Sequence, residues 1–127
     1  MSEVVLDASA LLALVYREPG ADVVAEAVSE AAMSSANLSE VVAKLSDDGM
    51  REFAIRAALD GYQLDVIPFD EAQAWAAGLL HPLTRPRGLS FADRACLALA
   101  LALDLPVLTG DRAWEGLNVG VDVRLFR

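Results

Sequence analysis

Cysteine, histidine and lysine each occur once in this chain of 127 residues, as Cys96, His81 and Lys44. A single cysteine excludes an internal disulfide, so a reduced, cytoplasmic setting is expected, with Cys96 a small core residue on an Ala/Leu helix rather than a reactive thiol. His81, in "LLHPLTRP", has no partner at ligand spacing and reads as a helix-end residue. Long apolar runs are missing as well: the uncharged stretch around Cys96, from Ala95 to Leu103, is nine residues closed by Arg94 and Asp104. That is too short to cross a bilayer, and no basic and apolar signal peptide is expected. Positive charge is scarce, with ten Lys and Arg against nineteen Asp and Glu and a net charge of −9. Such a balance speaks against holding nucleic acid by broad phosphate neutralisation, while leaving open an acidic pocket that recruits metal. There is no internal repeat, no disordered bias and no stretch long enough to be an interdomain linker.

What is present suits one domain over residues 1–127, with roughly two thirds of the unfolded surface buried on folding. Hydrophobic residues make up 55 % of the chain. Apolar and β-branched runs predict strands at 3–6, 32–36, 64–68, 106–108 and 122–126. Helical spacing predicts helices near 8–17, 21–31, 38–48, 50–60, 70–80 and 91–103, and a short one from 112. "EPG" at 18–20, "DDG" at 47–49 and "HPLTRPRG" at 81–88 read as punctuation. Alternation of this kind predicts an α/β layer fold on a mainly parallel sheet, because right-handed crossovers return successive strands in one direction.

Four acids fall near predicted helix N-termini: Asp7 in "VVLDASALLALV", Glu40 in "SSANLSEVVAKL", Asp93 in "GLSFADRACLAL" and Asp111 in "PVLTGDRAW". Each has a local explanation. Asn37-x-x-Glu40 and Ser90-x-x-Asp93 have capping-box spacing, and Asp7 and Asp111 suit N-caps, each contributing about 1 kcal/mol. Collectively they point further, because in a parallel sheet the strand carboxyl ends and the following helix N-termini share one edge. If the first, second and fourth strands are neighbours, the four carboxylates converge. Two unit charges at about 4 Å interact by about 4 kcal/mol at an effective dielectric near 20, more than capping supplies. Either some of the acids take up a proton or a divalent cation sits among them; hard oxygen donors without paired His or Cys favour Mg²⁺ or Mn²⁺ over zinc.

At "VLDASALLAL", "SSANLSEVVAKL" and "GLSFADRACLALALALDLPVLTGDRAW" the chain resembles the PIN-domain ribonucleases, and among them the short VapC-like toxins of toxin–antitoxin pairs. The likeness runs nearly end to end. It implies a five-stranded sheet in the order 3-2-1-4-5 flanked by helices, and metal-assisted hydrolysis of RNA phosphodiesters. It also implies a metal site made of Asp7, Glu40, Asp93 and Asp111, with Glu40 ligating through water or orienting the nucleophile. An RNA substrate, a cognate antitoxin protein and a homodimer are the partners it implies. Ser9 matches a hydroxyl position of the family's first motif and, with Thr109, is a candidate for binding substrate or fixing a carboxylate. Arg94 and Arg112 adjoin site acids, whereas a solvated loop accounts for Arg85 and Arg87. Trp75 is expected in a core and Trp114 to close the sheet end. Apolar stripes on the helices at 21–31 and 38–60 (Val23, Val24, Ala27; Val41, Val42, Leu45) suit dimerisation, antitoxin docking or burial within the monomer.

Two other functions compete. An Mg²⁺-dependent phosphoacceptor or phosphohydrolase module would use Asp7 as nucleophile. It wants a lysine near the pocket, where only Lys44 is on offer, and the dehalogenase type also wants a second Asp where Ser9 stands. A catalytically silent interaction scaffold would use the acids only as caps.

Overall fold

The computed structural model describes residues 1–127. Its elements run β1 (Val4–Leu6), α1 (Ala8–Tyr16), α2 (Ala21–Ala27), β2 (Ala31–Ser34), α3 (Ser35–Asp47), α4 (Glu52–Asp60), β3 (Asp65–Ile67), α5 (Glu71–Leu79), α6 (His81–Thr84), α7 (Phe91–Leu103), β4 (Val107–Thr109) and β5 (Val123–Leu125). Short 3-10 turns cover Val28–Glu30, Arg85–Arg87 and Arg112–Trp114. The five strands form one sheet in the order β3-β2-β1-β4-β5 with every pairing parallel, the expected arrangement.

The strand β1 is central because all three of its residues are apolar and buried, which suits a strand covered on both faces. Val4 and Leu6 enter one core with Leu11, Val24, Met33, Val41 and Leu45, beneath α1 to α4. Val5 points the other way, into a second core with Ala32, Val107 and Trp114 beneath α5 and α7. Each fully buried Val or Leu contributes about 2 kcal/mol. The six residues from Ala95 to Ala100 of α7 are all buried, and their alternating small and large side chains let the helix lie against the sheet. Cys96 is among them, a core residue as its surroundings in the sequence suggest.

Several boundaries differ for local reasons. The helix α3 begins at Ser35 rather than 38, because the Ser34 hydroxyl accepts the Ala36 N–H at 3.2 Å and caps it there. Asn37 is therefore inside the first turn and is not the cap. The predicted helix at 21–31 stops at Ala27, tightens into the 3-10 turn and releases Ala31 to β2. The segment 81–88 is not irregular: it forms α6 and a 3-10 turn, with Pro82 and Pro86 each in a first turn, where no N–H is needed. Arg87 is not merely solvated. Its guanidinium donates to the carbonyls of Ala113 (3.2 Å), Glu115 and Gly116 (3.4 Å), fastening this segment to the loop after β4. Trp114 is fully buried at that end of the sheet, but Trp75 stands on the outer side of α5, 67 % exposed rather than in a core. Of the two apolar stripes, Val24, Val41 and Leu45 are buried in the monomer, while Val23 and Val42 remain at the surface. No helix is long and apolar enough to cross a membrane.

Candidate active site

The parallel sheet sends β1, β2 and β4 to the same edge, and the four acids follow from that. Asp7 is the first residue after β1, Asp111 lies two beyond β4, and Glu40 is in the second turn of α3, which leaves β2 directly. Asp93 arrives on the first turn of α7. Asn37 ties that turn in place: its fully buried side-chain amide donates to Glu40 Oε1 at 3.0 Å and to the Ala92 carbonyl at 2.9 Å. The sequence reading missed this role, since an Asn three residues before a Glu has the spacing of a cap; its signal was the polar residue at a buried helical position.

Asp7 is the floor of the site, only 5 % exposed. Its Oδ1 accepts the Ser9 hydroxyl at 2.7 Å and the Ala10 N–H at 3.0 Å, and its Oδ2 accepts the Thr109 hydroxyl at 2.6 Å. Both hydroxyls are themselves held by the β4 loop, Ser9 Oγ accepting the Gly110 N–H at 2.9 Å and Thr109 Oγ1 the Asp111 N–H at 3.0 Å. One network thus fixes Asp7 and the approach to Asp111 together. Thr109 is fully buried, with its donor and acceptor both engaged, so it positions Asp7 and presents no face to a substrate. Ser9 is half-buried and makes the same kind of bond. The close passage of the loop requires Gly110: a Cβ there would stand 2.8 Å from the Phe126 ring and from Arg127.

Three of the acids do cap helices. Asp7 caps α1, Asp93 completes a capping box with Ser90 (2.9 and 3.2 Å), and Asp111 Oδ1 accepts the Ala113 N–H at 2.9 Å. Capping uses only one oxygen of the Asp93 and Asp111 carboxylates, however. Asp93 Oδ1, Asp111 Oδ2 and Glu40 Oε2 accept no hydrogen bond.

The electrostatics confirm proximity. Burial pushes Asp7 up from 3.8 to about 6 against its three hydrogen bonds, and the charge of Asp93 adds to the rise. Glu40 is raised by partial desolvation and then by Asp93, and Asp93 by desolvation and then by Asp111. The Cys96 thiol, one turn along α7, is pushed up by burial and then by the charges of Asp7, Asp93 and Glu40. Asp93 is thus the hub of the four. In the structure no three of these side chains stand close enough to share one ion, so a cation binding there would have to draw them inward. The donor set suits one: hard carboxylate oxygens, three of them free, around a site where burial first and neighbouring charge second raise the proton affinities of Asp7, Glu40 and Asp93.

Neighbouring basic groups are committed elsewhere. Arg94 donates to the Ala77 carbonyl at 3.0 Å and stacks over Phe91, and Arg112 reaches the exposed Glu115 at 3.7 Å. Lys44 pairs with Asp48 at 3.4 Å one turn along α3, which removes the cation that a phosphoacceptor site would want.

A parallel α/β domain in 3-2-1-4-5 order, with four acids converging on the carboxyl edge of its sheet, defines the class. The PIN domain family model matches residues 4–118, and the chain belongs to that family. Among solved structures it is similar to DNA-bound VapBC from Salmonella typhimurium (TM-score 0.79, 19 % identity, 100 % of each chain covered). A toxin-antitoxin complex from Klebsiella pneumoniae (0.77, 21 %, 98 % of each) and VapBC2 from Rickettsia felis bound to a DNA fragment of its promoter (0.75, 17 %, 96 and 97 %) share the fold as well. A search of curated proteins by sequence returns no match.

Proposed function

We propose that this chain is a divalent-metal-dependent endoribonuclease, acting as the toxin of a toxin–antitoxin pair. The observation that carries the reading is the convergence of Asp7, Glu40, Asp93 and Asp111, with three unpartnered carboxylate oxygens, on the edge where a parallel sheet binds ligands. Asp7, Asp93 and Asp111 would hold Mg²⁺ or Mn²⁺, with Glu40 at the rim. When bound, the ion polarises a phosphoryl oxygen and acidifies water.

The chain's own groups then have distinct tasks. Ser9 and Thr109 keep Asp7 in one orientation, so that its buried charge is fixed where a cation is wanted. Asn37 holds Glu40 by Oε1, leaving Oε2 to accept a proton from the attacking water. Water oxygen forms the new bond to phosphorus, the ester bond to the departing sugar oxygen breaks, and that oxygen takes a proton from a solvent water, whose hydroxide is neutralised by the proton that Glu40 took up.

For the partner, an apolar groove of about 640 Å³ runs between α3, α4 and the edge strand β3, lined by Leu38, Val42, Met50, Ile55, Leu59 and Val66. The structural neighbours from Salmonella and Klebsiella are toxin–antitoxin complexes. In the present reading, a small antitoxin docks on this helical face and a basic side chain of it enters the acid pocket.

Cleavage of RNA by the purified chain with Mn²⁺, its loss with EDTA, and its loss in Asp7→Ala with an unchanged circular dichroism spectrum are expected. Undiminished cleavage by Asp7→Ala refutes the assignment. Calorimetry with Mn²⁺ separates the scaffold reading, since a pocket that only caps helices binds no ion.

A further inference from the structure

One aromatic ring near the acids is used neither by the two cores nor by the acid site. Phe91 is the first residue of α7, two before Asp93, and it is 53 % exposed. Neither hydrophobic core includes it. The helix does not ask for it either, since Ser90 and Asp93 supply the cap and the position between them needs only a helical backbone. Of the four aromatic side chains that stand exposed, Tyr16, Phe53, Trp75 and Phe91, only Phe91 lies within two residues of a site acid.

The ring is exposed yet held. Phe69 meets it edge to face, with ring centres 5.4 Å apart and planes at 82°, and the Arg94 guanidinium stands 5.9 Å from its centre. Each neighbour is tied down in turn: the Phe69 N–H donates to Ser35 Oγ at the start of α3 at 2.9 Å, and Arg94 donates to the Ala77 carbonyl at 3.0 Å. The backbone beneath the ring is pinned by the Ser90–Asp93 capping box and by the Asn37 amide on the Ala92 carbonyl. A ring so fixed loses little freedom when a flat group lies on its open surface. Charge says what that group is. The chain carries −9, and the basic groups beside the acids are committed, Arg94 to Ala77, Arg112 toward Glu115 and Arg87 to the loop after β4. A polyanion brought to four carboxylates there gains little from phosphate neutralisation. Nucleobases are uncharged, and stacking on an aromatic ring supplies affinity where electrostatics do not.

We propose that Phe91 is a stacking platform for an unpaired nucleobase of the RNA substrate, close to the nucleotide whose phosphate lies at the acids. The inference rests on the nuclease reading and adds to it a binding residue that takes no part in the chemical step. Successive positions of a helix turn by about 100°, so a single turn of α7 brings Asp93 within range of the Asp111 charge and sets Phe91 against Phe69, just beyond β3. One short segment thus carries both the carboxylate that meets the phosphate and the ring that meets a base. The Asn37 amide joins that segment to Glu40. A base seated on Phe91 sets the register of the strand, and with it which phosphodiester reaches the acids.

Phe91→Ala should weaken binding of a short fluorescein-labelled single-stranded RNA about tenfold, read by anisotropy with EDTA present, and raise KM with Mn²⁺ by a similar factor while kcat stays within about twofold of the parent. Phe91→Trp should bind as the parent does, and Phe91→Leu, which keeps apolar bulk without a ring, should behave as Phe91→Ala. Melting temperatures should stay near that of the parent, because the ring lies outside both cores. An abasic site moved along the RNA should find one position at which the parent loses as much affinity as Phe91→Ala does, and at which Phe91→Ala loses nothing more; a merely structural role would leave the two losses additive. The dependence of affinity on salt should not change, whereas a slope reduced by about one would trace the loss to a phosphate contact. Phe91→Ala equal to the parent in affinity and KM, additive losses at every abasic position, or a reduced salt slope overturns the stacking and leaves the nuclease reading standing. A parent that neither binds nor cleaves the RNA overturns both.

Discussion

Replacing Asp7 by Asn removes a charge from the place where the fold tolerates it least. Burial raises this carboxyl from 3.8 to about 6. A folded-state pKa about two units above the unfolded value means that the ionised form weakens folding by about 3 kcal/mol, at about 1.4 kcal/mol per unit. The sign follows from proton uptake. Below pH 4 both states are protonated and no penalty applies. As the pH rises from about 4 through about 6, the unfolded chain has released its proton while the folded chain retains it, and stability falls until the full penalty is reached. Asp7→Asn escapes this loss, but its amide cannot accept the Thr109 hydroxyl proton as Oδ2 does, which costs about 1 kcal/mol. The net gain at pH 8 without metal is about 1 to 2 kcal/mol, on the order of 5 °C in melting temperature. Urea unfolding of both chains with EDTA at pH 4, 6 and 8 should show a gap that opens with pH. Excess Mn²⁺ should then close or invert it, because an ion bound only to the folded parent adds stability that the variant lacks. A variant less stable than the parent at pH 8, or a gap of the same size at pH 4 and 8, refutes the claim that Asp7 is a buried charge kept for a ligand.

Two further outcomes test the supports of the site. Asn37→Ala should lower cleavage and weaken Mn²⁺ binding about tenfold by freeing Glu40. Measured in a Glu40→Ala background it should add nothing to either, whereas a purely structural role for Asn37 would leave the two effects additive. Gly110→Ala places a methyl against the buried Phe126 ring and should cost about 1 to 3 kcal/mol in thermal stability, with cleavage falling further than the stability loss explains, because the shifted loop moves both Thr109 and Asp111. Wild-type activity in Gly110→Ala would show that the loop's position does not matter to the chemistry.

The local chemistry of the chain determined much of this on its own. Three consecutive apolar residues before Asp7 imply a strand buried on both faces; the change of period at Ala8 implies a helix; and alternation of such units implies parallel pairing, since each inference needs only neighbours in the chain. The four acids could be picked out for the same reason, each standing near a helix N-terminus that the local pattern marks. The supports around them were not. Asn37 looked like a cap because a capping box and a buried amide bridge can share one spacing, and only the arrival of Ala92 from 55 residues away distinguishes them. Thr109 became a positioning group for Asp7 across 102 residues, and Arg87 a fastening for the β4 loop across 26 to 29. Trp75 was misplaced because helical periodicity says which residues share a face but not which face the rest of the molecule covers; α5 turned Ala76 and Ala77 inward and left the tryptophan outside. Sequence alone determined most of the elements, their parallel pairing and the placing of four acids near helix N-termini, because these depend on contacts within a few residues; the order of the strands came from the family resemblance. The tertiary structure decided which polar side chains hold those acids and which apolar face stays uncovered, because both are set by residues that meet only after the chain has folded.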